Sequence, residues 1–278
     1  MIEARLFAYR LLDAIREDDP FLDLSAELVP DRVGNAEIVC KSDLVLAGSE
    51  EVAELALLLG LSAKKLKDEG AELRSGELIM TLTGPLRDIL KAERVMLNVL
   101  SMASGIATTT RRVIAEARKV NPGIRVAATR KTAPLLRYLQ KKAVMVGGGD
   151  PHRFSLSDAI LIKDNHVRIL GLEEAIRKAK AMASFVQKIE VEVSSPEDAV
   201  RAASLGVDIV MLDNFSPQSV RLADSLLREG KLREKVMLEA SGLINEQNVV
   251  LYAPYVDVIS LGMLTHSFKG ADISLEVR

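Results

Sequence analysis

Tryptophan is absent from this chain, cysteine occurs once and aromatic residues make up only 4% of it. Each shortage excludes something. So few aromatics leave no stacking platform for single-stranded nucleic acid, and a net charge of −2 supplies no positive field for a duplex. A lone Cys40 rules out an internal disulfide and suits a reducing, cytoplasmic setting. Its place in Ile38-Val39-Cys40 reads as a buried structural thiol. Long apolar runs are missing too: the most apolar stretch, residues 52–61, is interrupted by Glu54 and falls short of the roughly 20 residues that span a bilayer. The opening MIEARLFAYRLLDAI carries acids and no small-residue cleavage site, so no secretory signal is expected. Neither nucleic acid nor membrane is expected as a partner.

What is present points to a well-cored α/β protein. The 278 residues are 48% hydrophobic and 27% charged, enough for two domains or for one barrel with an addition. Residues 1–105 mix an amphipathic helix at about 3–17, a strand at 36–42 and a helix near 50–60, punctuated by Gly70, Gly76 and Gly84-Pro85. A long helix follows from about Pro85 to Lys119, with a break expected at Ser104-Gly105, and Asn121-Pro122-Gly123 stops it. Beyond it, apolar β-branched runs recur at 124–129, 159–162, 189–193, 208–212, 236–238 and 256–261, and a seventh strand is expected at 143–146. Helical segments at 172–183, 196–205, 217–227 and 246–252 lie between the later ones, two of them opened by Ser195-Pro196 and Ser216-Pro217 as cap and first-turn proline. Near-continuous apolar strands alternating with helices predict a parallel sheet covered by helices.

The polar residues gather where such strands end: Thr129-Arg130-Lys131, Lys163-Asp164-Asn165, Glu190 with Glu192, Asp213-Asn214, Glu239 with Ser241-Gly242, and Ser260 with Gly262. In a (β/α) barrel those ends converge on one mouth, where the chemistry sits. Any one of them could be an ordinary helix cap; six together are harder to explain that way. Residues 125–168 hold nine Lys or Arg against three Asp, whereas 189–213 hold six acids and one Arg. The first segment, interleaved with Gly147-Gly148-Gly149 and His152-Arg153, suits a strongly anionic ligand. Glu192 and Asp213, at successive strand ends, suit Mg²⁺ or a sugar diol. Ser241, Gly242 and Gly262, late in the barrel, match a phosphate loop, since glycine lets backbone N–H groups approach closely. Together these imply a phosphorylated sugar substrate with Mg²⁺.

Residues 128–167, ATRKTAPLLRYLQKKAVMVGGGDPHRFSLSDAILIKDNHV, resemble the signature region of the quinolinate phosphoribosyltransferases, the carboxylating nicotinate-nucleotide pyrophosphorylases. The resemblance continues through Glu93-Arg94, Leu97-Asn98, Ser104-Gly105-Ile106-Ala107-Thr108, Ile189-Glu190-Val191-Glu192-Val193, Leu212-Asp213-Asn214-Phe215, Leu238-Glu239-Ala240-Ser241-Gly242 and Leu264-Thr265-His266-Ser267, in order and spacing. It implies an amino-terminal α/β sandwich over 1–105, joined by the tail 267–278, and an incomplete, about seven-stranded parallel (β/α) barrel over 106–266. It implies transfer of phosphoribose from phosphoribosyl pyrophosphate to quinolinate with loss of CO₂, giving nicotinate mononucleotide with Mg²⁺. By the same resemblance, Arg94, Thr129, Arg130, Lys131, His152, Arg153 and Lys163 surround the substrate anions. Glu192 and Asp213 handle ribose hydroxyls and metal; Ser241, Gly242 and Gly262 hold the 5′-phosphate. Lys131, Lys163, Glu192 and Asp213 are the expected catalytic set. Arg94 is expected to act in a neighbouring subunit's barrel, which implies a homodimer and leaves a hexamer open.

Three positions depart from the family pattern: Pro151 stands before His-Arg where Asn is usual, and Leu135 and Leu243 stand where Gly is usual. They leave the reaction type in place and bear on the carboxylate pocket. Nicotinate is therefore kept as an alternative acceptor. So is a Schiff-base lyase using Lys163, although Arg130, Lys131 and Arg153 have no purpose in it. A non-catalytic phosphate-binding barrel would leave Glu192 and Asp213 unexplained. His166 reads as a loop-orienting or substrate residue and His266 as structural.

Overall fold

The computed structural model describes residues 2–278, which fall into two compact units. The first unit takes residues 2–111 with Tyr138–Gly148 and Phe268–Arg278; the second takes Arg112–Arg137 and Gly149–Ser267. The chain opens with α1 (Ile2–Asp18), then β1 (Val33–Cys40), β2 (Leu44–Val45), α2 (Ser49–Leu58), β3 (Ser62–Lys65), β4 (Glu72–Leu73), β5 (Leu78–Pro85) and the long α3 (Leu86–Arg118). Alternation on β1 buries Ala36, Ile38 and Cys40 completely, one residue in two facing the core. The Cys40 thiol is buried against the Arg74 carbonyl, and burial raises its pKa.

Two expectations fail instructively in this unit. Helix α3 runs unbroken through Ser104-Gly105. Gly105 is a close-approach residue, because a Cβ there would run into the Lys269 carbonyl. The segment 143–146 is no strand but the last turn of α4 (Arg137–Val146). Its residues Leu139, Ala143 and Val144 are buried at helical spacing, so the period of 3.6 across ten residues wins over the apolar run AVMV.

In the second unit the strands are β6 (Arg125–Ala127), β7 (Ile160–Ile162), β8 (Ile189–Val193), β9 (Ile209–Asp213), β10 (Met237–Ser241) and β11 (Val258–Ser260). Between and after them come α5 (Asp164–Leu170), α6 (Leu172–Met182), α7 (Pro196–Ser204), α8 (Pro217–Glu229), α9 (Val249–Tyr252) and α10 (Met263–His266). The six strands form one parallel sheet in the order β6-β11-β10-β9-β8-β7. Asp150 adds a one-residue parallel bridge to Ala127, so the seventh position of the barrel is a bridge and not a strand. Ser195 and Ser216 cap α7 and α8 by accepting from Asp198 N and Ser219 N, with Pro196 and Pro217 in the first turn. Each cap contributes about 1 kcal/mol. The final strand β12 (Ile273–Val277) returns to the first unit and closes an antiparallel sheet in the order β12-β1-β5-β3, with β2 and β4 paired beside it.

Candidate active site

Parallel strands present all their carboxyl ends on one side, and in this barrel nearly every one carries a polar group. Past the end of β6, Thr129 Oγ1 accepts the Lys131 N–H at 3.1 Å, a local turn that brings Arg130 and Lys131 into the mouth. After β7, His166 Nδ1 accepts the Lys163 N–H at 2.9 Å and caps α5. His166 thus orients its loop. Lys163 Nζ in turn bonds Glu192 Oε1 of β8 at 2.7 Å. At the end of β9, Asn214 adopts φ +58° and donates from Nδ2 to Asp213 Oδ2 at 2.9 Å. Gly242, after Ser241 of β10, has φ +83°, and a Cβ there would run into the Asn214 carboxamide, so this turn requires glycine.

These groups enclose a cavity of about 460 Å³ drawn from the second unit alone. Its wall has Thr129, Arg130, Lys131, His152, Arg153 and Lys163 on the cationic side. Asp164, Glu192 and Asp213 supply its acids, with Asn214, Ser241, Gly242 and Ser260 completing it. A second space of about 670 Å³ shares Asp164, Glu192, Asp213 and Asn214, so the mouth extends outward over α5 and α7. Of the predicted site residues, Arg94 and Gly262 are not in the wall. Arg94 is exposed on α3 in the first unit, without an ion-pair partner among the described residues. Gly262 opens α10 in close quarters: a Cβ would lie 2.9 Å from His266 Nε2 and 3.0 Å from Lys131 Cδ. Its bareness lets the Lys131 stem pass.

Electrostatically the wall is poised for an anion. Arg130 Nε and Ser260 Oγ are buried and make no hydrogen bond to described residues, and a buried donor left unmet is costly. Burial, and then the neighbouring Arg130 guanidinium, press the Arg153 pKa below its ordinary value. An incoming carboxylate or phosphate relieves both strains. Of the three carboxylates in the wall, Glu192 and Asp213 at successive strand ends are the pair suited to a cation, and no close cluster of three His, Cys, Asp or Glu groups forms there among the described residues. Two carboxylates fit Mg²⁺, which fills its octahedron with substrate oxygens and water, better than a metal needing an all-protein cage.

Glu190 and Glu239, expected from the sequence among the strand-end groups of the mouth, lie instead inside the barrel, each about 1% exposed. Their signal was the i, i+2 spacing to Glu192 and Ser241, which puts each on the inward face of its strand. Glu190 and Glu239 have one buried oxygen each without a hydrogen bond to the described residues, and their other oxygens face His152.

Comparison with known proteins covers almost the whole chain. Residues 23–104 match the model for the quinolinate phosphoribosyl transferase N-terminal domain, and residues 106–276 match that for the C-terminal domain. A probable nicotinate-nucleotide pyrophosphorylase (carboxylating) of Methanothermobacter thermautotrophicus is 47% identical over 270 residues, 96% of this chain and 97% of its own. The human nicotinate-nucleotide pyrophosphorylase (carboxylating) is 37% identical over 265 residues, 95% of this chain and 89% of its own. Among solved structures, the nicotinate-nucleotide pyrophosphorylase from Francisella tularensis superposes with a TM-score of 0.91 at 35% identity, covering 99% of this chain and 97% of that one.

Proposed function

The chain belongs to the quinolinate phosphoribosyl transferase family, and on that premise we propose how its barrel mouth carries out the family's reaction. The enzyme is a pentosyltransferase: it moves phosphoribose from phosphoribosyl pyrophosphate to quinolinate and releases pyrophosphate and CO₂, giving nicotinate mononucleotide for NAD synthesis. The observation that carries the assignment of roles is the pairing, within one cavity, of four cations with Glu192 and Asp213.

Arg130 and Arg153 grip the carboxylates of quinolinate, because a guanidinium meets a carboxylate through two parallel hydrogen bonds. Lys131 and Lys163 act as point charges on the pyrophosphate. The pyridine nitrogen attacks the anomeric carbon as pyrophosphate leaves, with positive charge developing on the sugar. Glu192 and Asp213 stabilise that charge and hold the ribose hydroxyls. Little proton transfer is involved at this step, so positioning and fixed charge supply most of the acceleration. Ser241 and the bare backbone at Gly242 take the 5′-phosphate. Glu192 and Asp213 would hold Mg²⁺, which would supply neutralising charge to the pyrophosphate. In the second step the bond to CO₂ breaks and leaves its electron pair on the ring carbon beside the pyridinium nitrogen, a proton from solvent then takes the place of CO₂ there, and no protein nucleophile is involved.

A mixture of the protein, Mg²⁺ and phosphoribosyl pyrophosphate with either quinolinate or nicotinate tests the reading. We expect equal amounts of CO₂ and pyrophosphate from quinolinate. Pyrophosphate from nicotinate with none from quinolinate refutes it. Arg94, exposed on α3 and without an ion-pair partner among the described residues, completes the site of a second copy in a homodimer. Mixing inactive Arg94→Ala and Lys131→Ala proteins is expected to restore part of the activity, and no recovery despite proven subunit exchange rejects the shared site.

A further inference from the structure

Two carboxylates buried in the barrel interior have no part in the chemistry above. Glu190 on β8 and Glu239 on β10 lie one inward-facing step below the mouth residues Glu192 and Ser241. Burying two acids side by side is expensive unless their position does something. Both face one imidazole: His152 Nε2 lies 3.3 Å from Glu239 Oε2 and 3.6 Å from Glu190 Oε2. The other ring nitrogen, Nδ1, accepts the Arg153 N–H at 2.8 Å. The His152 backbone has φ +52°, and its N–H donates to Asp150 Oδ1 at 2.7 Å. His152 and Arg153 line both the mouth cavity and a third space of about 270 Å³, whose wall includes Glu190 and Glu239.

Two states of the ring compete. Burial opposes a charge on His152, whereas Glu239 within hydrogen-bond reach and Glu190 close beside it favour one and raise its pKa. An imidazolium, however, carries a proton on Nδ1, where the Arg153 N–H already points. The backbone hydrogen bond decides: Nδ1 accepts, and the ring proton sits on Nε2, facing the glutamates. The same bond argues against reading the three groups as a metal centre. A metal on Nε2 leaves the ring proton to Nδ1, which here has no acceptor to meet it.

We propose that Glu190 and Glu239 are positioning residues for Arg153: by holding the Nε2–H of His152 they fix the left-handed turn that presents the Arg153 guanidinium to the dicarboxylate substrate. The inference rests on the reading that Arg153 grips a quinolinate carboxylate. Without the glutamates the ring is free to rotate, Nδ1 leaves the Arg153 N–H and the turn loses the bonds that offset its strained backbone. Pro151, immediately before the turn, restricts the chain on its other side.

The test compares Glu239→Ala, which removes the acceptor, with Glu239→Gln, whose amide oxygen can still accept from Nε2. Losing one net hydrogen bond predicts a KM for quinolinate raised about tenfold in Glu239→Ala. The KM for phosphoribosyl pyrophosphate is expected to stay within about twofold, and Glu239→Gln to restore the quinolinate KM, because the hydrogen bond and not the charge sets the turn. Glu190→Ala, with the longer contact, gives the same split with a smaller rise. Nitrogen-15 spectra of the His152 ring read the geometry independently of turnover. The parent and Glu239→Gln should show the Nε2–H tautomer, and Glu239→Ala a mixture of tautomers. Equal rises in both KM values overturn the proposal, as does an Nδ1–H tautomer in the parent or a stoichiometric divalent metal that Glu239→Gln releases. If the parent fails to turn over quinolinate, the proposed function falls and the ring spectra alone decide this inference.

Discussion

Two lysine–glutamate clusters in this protein share nearly the same bond lengths and differ in everything else. In the first unit, Lys142 Nζ lies 2.8 Å from Glu50 Oε2 and 2.7 Å from Glu51 Oε1, and the Tyr138 hydroxyl donates to the same Glu51 oxygen at 3.1 Å. In the barrel mouth, Lys163 Nζ lies 2.7 Å from Glu192 Oε1. The Lys142 side chain is 16% exposed against a fully buried Glu51; that of Lys163 is 46% exposed. Burial works against charge on Lys142, yet its hydrogen bonds to Glu50 and Glu51 overcome it and hold the pKa above the ordinary lysine value. The buried cluster is closed and structural. The mouth pair sits on a cavity wall, where a stronger anion can replace Glu192 at the lysine. Distance alone does not separate a brace from a binding group; burial and partner number do.

Breaking the closed cluster should give the largest effect. Lys142→Ala leaves Glu51 buried without its cation, which costs about 3–5 kcal/mol. The melting temperature should drop by roughly 10 °C, while the protein that remains folded keeps its KM values. A melt within about 1 °C of the parent refutes the structural assignment.

Lys163→Ala inverts the pattern. Its pair is half exposed, so stability should move by less than about 0.5 kcal/mol. Turnover should fall by roughly 10²–10³-fold, the usual cost of removing one fixed charge or donor from a transition state. A loss of stability matching that of Lys142→Ala, with turnover kept, dissolves the distinction between the clusters.

The two clusters were not equally legible. Lys163, Glu192 and Asp213 stand beside apolar strands, and the rule that strand ends converge brings them together without any knowledge of packing. The caps at Ser195 and Ser216 are equally local. The strand expected at 143–146 failed because four apolar residues, two of them valine, carry less information than the helical period in which they sit. Lys142 and Glu51 are 91 positions apart, and the Glu239–His152 contact spans 87. No local pattern announces either, since the first depends on how two helices meet in the first unit and the second on how the parallel sheet curls. Gly105 misled in the opposite direction, a helix glycine whose reason is a chain segment more than 160 residues away in sequence.

The smallest effect is expected where the mouth departs from its family. Leu135 and Leu243 both adopt left-handed backbone, at φ +67° and φ +51°, and are 83% and 81% exposed. A leucine in that conformation costs roughly 1–2 kcal/mol, and side chains this exposed recover little of it by burial. Leu243→Gly removes the strain but gives the unfolded chain more freedom, a loss of about 0.5–1 kcal/mol. The two nearly cancel, and the net gain should be about 0.5 kcal/mol, or roughly 1–2 °C in melting temperature. The contrast with Lys142→Ala is the point: a conspicuous large-to-small change at the open mouth leaves stability almost untouched, whereas truncating one closed-cluster side chain does not. A clear loss of stability in Leu243→Gly, concentration-dependent in the melt, means instead that this leucine is covered in the assembled protein, and that the strain is offset by burial against a second copy.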